Sequence, residues 1–277
     1  MRLFWQLLAI AVVSFVGGQA LYAVEDEPWL MLPVGLVAAV LALFVYRWVV
    51  RRTERRAVTE LAWEGAAYKT GLGTLTGTAM FGFVIVNIAF LGFYRVDGMG
   101  DPGGAAGLLG FMAAAAVTEE LLYRGVLFRF VEGWAGTGIA LALTGIVFGA
   151  VHLVNPGASV VGALSIAVSA GLMLGAAYVA TRNLWVPIGI HFGWNFAAGG
   201  VFSTEVSGNG TPQGLLDAST SGPALVSGGA FGPEASLYTP LAGLIITAVL
   251  LWIAKRRGNL VPMRRKNRAE AVATLAQ

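Results

Sequence analysis

Residues 113–128 read AAAAVTEELLYRGVLF, an apolar stretch interrupted by two adjacent carboxylates, Glu119 and Glu120, and then by Arg124. Whether this stretch lies in water or in lipid decides the fold. In water it is an ordinary helix with a charged face; in a bilayer each charge costs several kcal/mol. The rest of the chain answers for lipid. Of its 277 residues 57% are hydrophobic and 12% charged, and the mean hydropathy is +0.73, a balance unlike that of a soluble globular domain. Apolar runs long enough to cross a bilayer, roughly 20 residues at about 1.5 Å each, recur along the whole length. They fall at 3–24, 29–50, 72–94, 103–130, 136–154, 159–180, 184–202 and 237–254. The expected fold is an all-α, polytopic membrane bundle of about eight transmembrane helices in the cell membrane.

The first run follows a single Arg2 and is about twice the length of a signal-peptide apolar core, so it reads as a retained helix. Lys and Arg concentrate in short cytoplasmic loops. With eight crossings and both termini cytoplasmic, Arg95 is the only one of the 18 basic residues left outside, and the acidic residues at 25–27, 97, 101, 205, 217 and 234 also fall outside. The sequence pI near 9.4 therefore points to anionic lipid at the cytoplasmic helix ends, with no nucleic acid partner. The absence of Cys removes thiol nucleophiles, disulfides and Cys-held metals.

Four parts are expected: 1–102 with the first three helices; 103–202 as a core of helices four to seven; 203–236 as a flexible external loop; and 237–277 with the last helix and a basic cytoplasmic tail. The Gly- and Ser-rich loop reads as a linker rather than a lid.

Helical period separates the charges in the quoted stretch. Residues four apart share a face and residues five apart do not, so Glu120 pairs with Arg124, whereas Glu119 is left on another face without a local partner. The chain's two histidines both fall in apolar runs. His152 ends LTGIVFGAVH, with Phe148 one turn before it. His191 sits in PIGIHFGWNF, with Asn195 one turn after it. If these helices converge, Glu119 with two neutral imidazoles is a plausible holder for a divalent metal such as zinc with a water in the open position. Alternatively the carboxylate is itself the base toward a water, with His and Asn donors on the oxyanion. A zinc-protease helix of the H-E-x-x-H type is absent from the sequence.

EELLYR (Glu119 to Arg124), FGAVH (Phe148 to His152) and HFGWN (His191 to Asn195) match, in order, the motifs E-E-x-x-x-R, F-x-x-x-H and H-x-x-x-N. In these the chain resembles the CPBP family, the intramembrane CAAX-protease and bacteriocin-processing group also called the Abi or type II CAAX prenyl endopeptidase family. The resemblance implies an eight-helix intramembrane endopeptidase with catalytic groups submerged on the cytoplasmic side, acting on a membrane-associated protein or peptide. Carried over, Glu119 is the catalytic carboxylate, Glu120 and Arg124 support it, His152 and His191 hold the water or a metal, and Asn195 helps bind the oxyanion. The resemblance leaves metal-bound and glutamate-activated water both open. The alternative function is a catalytically idle membrane scaffold or immunity-type protein that binds a partner peptide in the same cavity.

One expectation conflicts with the rest. Counted at about 1.5 Å per residue from the inner loops, Glu119 lies roughly 20 Å deep, His152 roughly 25 Å and His191 about 10 Å. Tilt, a fourth helix projecting beyond the inner surface, or a hairpin at Asn155-Pro156-Gly157 that stops inside the membrane would reconcile them.

Overall fold

The computed structural model describes residues 1–263; the expected basic tail from 264 onward lies outside them. Helices α1 (Arg2–Tyr22), α2 (Pro28–Glu54) and α3 (Ala66–Phe90) are followed by strand β1 (Tyr94–Met99). Asp101 then caps α4 (Pro102–Glu120), its carboxylate accepting from the Gly103 and Gly104 amides at 2.9 Å each. From α4 the chain continues without a break through a π-helical stretch, Leu121–Phe128, into α5 (Arg129–Ala135). Helix α6 (Thr137–Val151) ends in a 3-10 turn at His152–Val154. Helix α7 (Val160–Ile166) passes through a second π-helical stretch, Ala167–Leu172, into α8 (Met173–Thr181), and α9 (Trp185–Asn195) continues into a third, Phe196–Val201. Strand β2 (Leu216–Thr220), the short α10 (Ala224–Ser227) and α11 (Tyr238–Arg256) complete the order.

Seven helical segments are long and apolar enough to cross a membrane, with α4–α5 and α7–α8 each counting as one. The protein is an all-α, multi-pass membrane protein. The eighth expected run, 184–202, is α9 with its π-helical continuation, shorter than the others and largely buried among them. Helix α9 lies along α3, and α2 along α4. A Cβ on Gly77 would strike the Ile190 carbonyl and one on Gly193 the Thr74 carbonyl. That close approach is what small residues provide between membrane helices, where apolar contact alone gives no preference over lipid.

The helix ends gather at two poles. At one, the Leu184 amide donates to the Glu60 carbonyl (2.8 Å) and the Thr137 amide to the Val261 carbonyl (2.9 Å). At the other, Gly157 donates to Gly208 (2.8 Å) and Gly100 to Leu215 (2.9 Å). Arg124 sits in mid-span, and among the described residues Arg95 is the only Lys or Arg at the second pole. The poles are therefore a basic end and an acidic end.

This arrangement brings Glu119 and His191 to similar depths. Arg129, ion-paired with Glu54 (2.7 Å) and Glu60 (3.1 Å), lies level with the start of α9, so α5 projects past that level. Glu119 is then about 15 Å from the Arg129 level and His191 about 10 Å from Leu184. A projecting fourth helix, Pro102–Ala135 in full, is the reason.

The 203–236 segment is not the linker expected of it. Strand β2 pairs antiparallel with β1, Tyr94 opposite Thr220 and Met99 opposite Leu216, with a bulge between Val96 and Gly98. Phe231, Pro233, Glu234 and Ala235 are buried against the bundle. A composition rich in Gly and Ser reads as flexible, but here many of those glycines take positive φ or meet neighbouring backbone closely. They build a cap over the acidic end.

Candidate active site

Two of the three π-helical stretches, Leu121–Phe128 and Ala167–Leu172, contribute to the wall of one cavity of about 580 Å³, and the third begins just after Asn195, which also lines it. A π turn leaves carbonyls outside the regular i to i−4 ladder, and such turns recur at functional sites. Here the freed carbonyls are used. Arg124, in the first stretch, donates from Nη2 to the carbonyls of Ala170 (3.0 Å) and Gly171 (3.2 Å) in the second. Its Nη1 donates to Glu120 Oε1 at 2.6 Å. Both members of this i, i+4 pair are sealed from solvent, with side-chain exposures of 1% and 0%. The expected pairing of Glu120 with Arg124 is the observed one.

Glu119 turns the other way. Its side chain is 34% exposed and lines the cavity, and its Oε2 has no hydrogen-bond partner among the described residues. The nearest titratable nitrogen is His191 Nε2 at 3.9 Å. His191 is fixed from behind, because its Nδ1 lies 2.9 Å from Glu120 Oε1. A carboxylate already paired with Arg124 only accepts, so His191 Nδ1 carries a proton and Nε2 is the nitrogen nearer Glu119. His152 repeats the arrangement at the end of α6. Its Nδ1 is 2.7 Å from the Phe148 carbonyl, an oxygen near the helix end that would otherwise be left unbonded. The carbonyl only accepts, so Nδ1 carries the proton here as well.

Phe148 holds these groups apart and in place. Its ring lies under the Arg124 guanidinium at 4.4 Å, edge-on to Tyr123 at 4.9 Å, and 5.1 and 6.0 Å from the rings of His152 and His191. A cation over an aromatic face inside a membrane is favoured by about 2 kcal/mol. Asn195, the last residue of α9, lines the same cavity. All seven expected residues, Glu119, Glu120, Arg124, Phe148, His152, His191 and Asn195, are thus brought to one place. Five line the cavity, and Glu120 and Arg124 stand behind its wall.

A metal shared by Glu119, His152 and His191 needs its three donors about 2 Å from one point. Among the described residues no three His, Asp or Glu side chains are placed to hold a metal ion. The carboxylate and the two imidazoles come from different helical segments. In this arrangement they do not form a ligand shell.

Two features were missed by sequence reasoning. The first is Glu234, in the segment taken for a linker. It is 5% exposed and lines the cavity, accepting from Trp194 Nε1 (3.0 Å), the Ser207 amide (2.6 Å) and the Ser207 hydroxyl (2.7 Å). No local pattern distinguishes it, since all its partners are distant in sequence. The second is a network at the basic end, where the Gly125 carbonyl of the first π-helical stretch accepts from Arg129 Nη1 (2.9 Å) and the Tyr46 hydroxyl lies 2.9 Å from it. The Arg129–Gly125 contact spans four residues and could have been found by the same period that paired Glu120 with Arg124.

No curated protein and no solved structure matches the chain. One family model does, the type II CAAX prenyl endopeptidase Rce1-like family, over residues 102–197. The matched stretch opens at the first residue of α4, closes two residues after Asn195 and contains every motif residue described above. Helices α1 to α3, the cap and α11 lie outside it. Over residues 102–197 the chain is similar to the type II CAAX prenyl endopeptidase Rce1-like family.

Proposed function

We propose that the protein is an intramembrane endopeptidase that hydrolyses a peptide bond of a membrane-associated protein or peptide with a water activated by Glu119. The observation that carries this reading is the asymmetry of two adjacent carboxylates. Glu120 is sealed from solvent, its Oε1 shared by Arg124 and His191 while its Oε2 has no partner among the described residues. Glu119 is 34% exposed, lines the cavity and has no ion pair with Arg124. A carboxylate held this way in a site of low dielectric is available as a base.

In this mechanism the lone pairs of His191 Nε2 and His152 Nε2 orient the hydrogens of a water, and Glu119 removes one as the water oxygen attacks the substrate carbonyl carbon. The carbonyl oxygen becomes an oxyanion and takes a hydrogen bond from the Asn195 carboxamide. Glu119 then returns its proton to the amide nitrogen, the C–N bond breaks, and a carboxylic acid and an amine leave. Glu120 and Arg124 do not touch the substrate; they fix the tautomer and angle of His191, as carboxylates behind catalytic or metal-binding histidines do.

The test compares peptide termini in the membrane proteome of cells expressing wild type or Glu119→Gln at matched levels. Termini present with wild type and lost with the variant are the expected result. Indistinguishable profiles, with wild type folded and abundant, would overturn the reading.

A further inference from the structure

We infer that the cavity takes its substrate from the non-cytoplasmic half of the membrane, and that this substrate is an internal, neutral or cationic segment of an apolar chain rather than a carboxyl-terminal tail. The inference rests on the proposed function for its chemistry, but two independent observations give it direction.

The first is where the cavity leads. Its floor is Tyr123, Phe148 and His191, and behind that floor lie Arg124, Glu120 and the basic-end network. From the floor the walls run only one way. On α4 they pass through Glu119 and Ala115 to Phe111 and Leu108, toward the residue that Asp101 caps. On α6 they pass from Phe148 to His152 and on to Asn155. Helix α1 contributes Ser14 and then Glu25 just beyond it, and the cap contributes Ser207, Asn209 and Thr211. Every path away from Glu119 ends at the acidic end. Phe111, Val151 and Asn209 are exposed there, so the opening lies between α1, α4 and α6 beneath the cap.

Which side of the membrane this is follows from the charges. Lys and Arg mark the cytoplasmic ends of membrane helices, and among the described residues only Arg95 stands at the acidic end. The basic end would then rest on the anionic cytoplasmic leaflet, and the cavity would open away from it. The resemblance to the intramembrane CAAX-protease group implied a cytoplasmic site; the course of this cavity points the other way.

The second observation is the charge of the lining. Glu25, Glu119 and Glu234 line the cavity, and among the described residues no Lys or Arg does. Arg124 is shut behind Phe148 and Glu120. A substrate's terminal carboxylate beside Glu119 would be an unpaired second anion in a poorly solvated site, which is strongly unfavourable. Apolar walls of Met80, Leu108, Met112 and Val206, with polar caps above them, suit a partly unwound stretch at the outer end of a membrane-crossing segment.

Single cysteines test the direction directly, because the chain has none of its own. Asn209→Cys, at the cavity rim, and Glu64→Cys, at the basic end, are treated in intact cells with a membrane-impermeant maleimide. Labelling of Asn209→Cys in intact cells, with Glu64→Cys labelled only after permeabilisation, is expected; the reverse overturns the inference whatever the activity. Mapping the termini produced by wild type and lost in Glu119→Gln tests the substrate class. Cuts at the outer ends of apolar segments, away from chain termini, are expected. Cuts at cytoplasmic edges, or a few residues before a carboxyl terminus, overturn the inference and leave the proposed function standing. An absence of any cut by wild type removes the proposed function and the substrate class with it, while the labelling still decides the direction.

Discussion

The protein has two polar clusters made from the same residue types, one buried at the cavity floor and one partly exposed at the basic end. At the basic end Glu54 and Glu60 share Arg56 and Arg129, and Tyr46 bridges Glu60 to the Gly125 carbonyl. Two carboxylates meet two guanidinium groups there, and charge is matched. At the floor Glu119 and Glu120 meet Arg124 alone, and the second cation is replaced by His191, a group that is neutral or charged as its surroundings require. The first cluster ties helices together. The second leaves Glu119 facing the cavity without an ion pair to a guanidinium, and under the proposed function that difference separates a scaffold from a reactive site.

The comparison breaks most visibly at Glu119. Glu119→Gln keeps the shape of the side chain and removes the base, so cleavage is expected to fall by about 10²- to 10⁴-fold, with thermal stability unchanged or slightly raised. A comparable loss of folded protein on melting would place Glu119 with the scaffold instead.

Arg124→Met sharpens the comparison from the opposite side. It strips Glu120 of its cation and the Ala170 and Gly171 carbonyls of their donor, and breaking such a buried pair costs about 3–5 kcal/mol. The double variant Glu120→Gln with Arg124→Met is expected to be more stable than Arg124→Met alone, because the uncompensated charge is gone. Denaturation of the single and double variants in one detergent measures the difference, and strictly additive losses would refute the pairing.

Much of the floor was legible in the sequence because it is written in local periods. The i, i+4 relation gave Glu120 with Arg124 and left Glu119 apart, and the same spacing placed Phe148 with His152 and His191 with Asn195. Hydropathy gave eight crossing runs, of which seven are long enough helices to cross, but it could not show that the fourth runs unbroken from Pro102 to Ala135 and projects past the others. That single fact reconciled the depths of Glu119 and His191. The cap was not legible at all. Glu234 bonds to Trp194 and Ser207, 40 and 27 positions away, and β1 pairs with a strand more than a hundred residues later. Contacts of that range leave no periodic trace, and a Gly- and Ser-rich composition looks the same in a linker and in a tight cap.

Tyr46→Phe perturbs the basic end gently. It removes one hydroxyl that serves Glu60 and the Gly125 carbonyl while Arg129 still donates to that carbonyl. The expected loss is about 1 kcal/mol of stability, with cleavage per folded molecule unchanged. A fall in turnover without a fall in stability would show that the basic end also sets the reactive geometry through the π-helical stretch.

The smallest expected effect is a pH dependence confined to the basic end. Glu60 lies in the turn between α2 and α3, outside the crossing segments. Burial alone would raise its carboxyl, but hydrogen bonds from Arg56 and the charge of Arg129 outweigh it and hold the group below its ordinary value of 4.5. A carboxyl depressed in the folded state binds its proton more readily once the chain unfolds. Its contribution to stability is therefore complete above about pH 4.5 and is lost as the pH falls from there through the lower folded value. Melting temperatures of wild type should decline on that acid limb, and Glu60→Gln, already lacking the ionised form, should decline less steeply from a lower start. Arg56 and Arg129 stay charged throughout, so a limb of equal slope in both proteins would mean that Glu54 or the cavity carboxylates govern the acid response. In that case the basic end would be the less committed of the two clusters, and the contrast with the cavity floor would have to be drawn the other way.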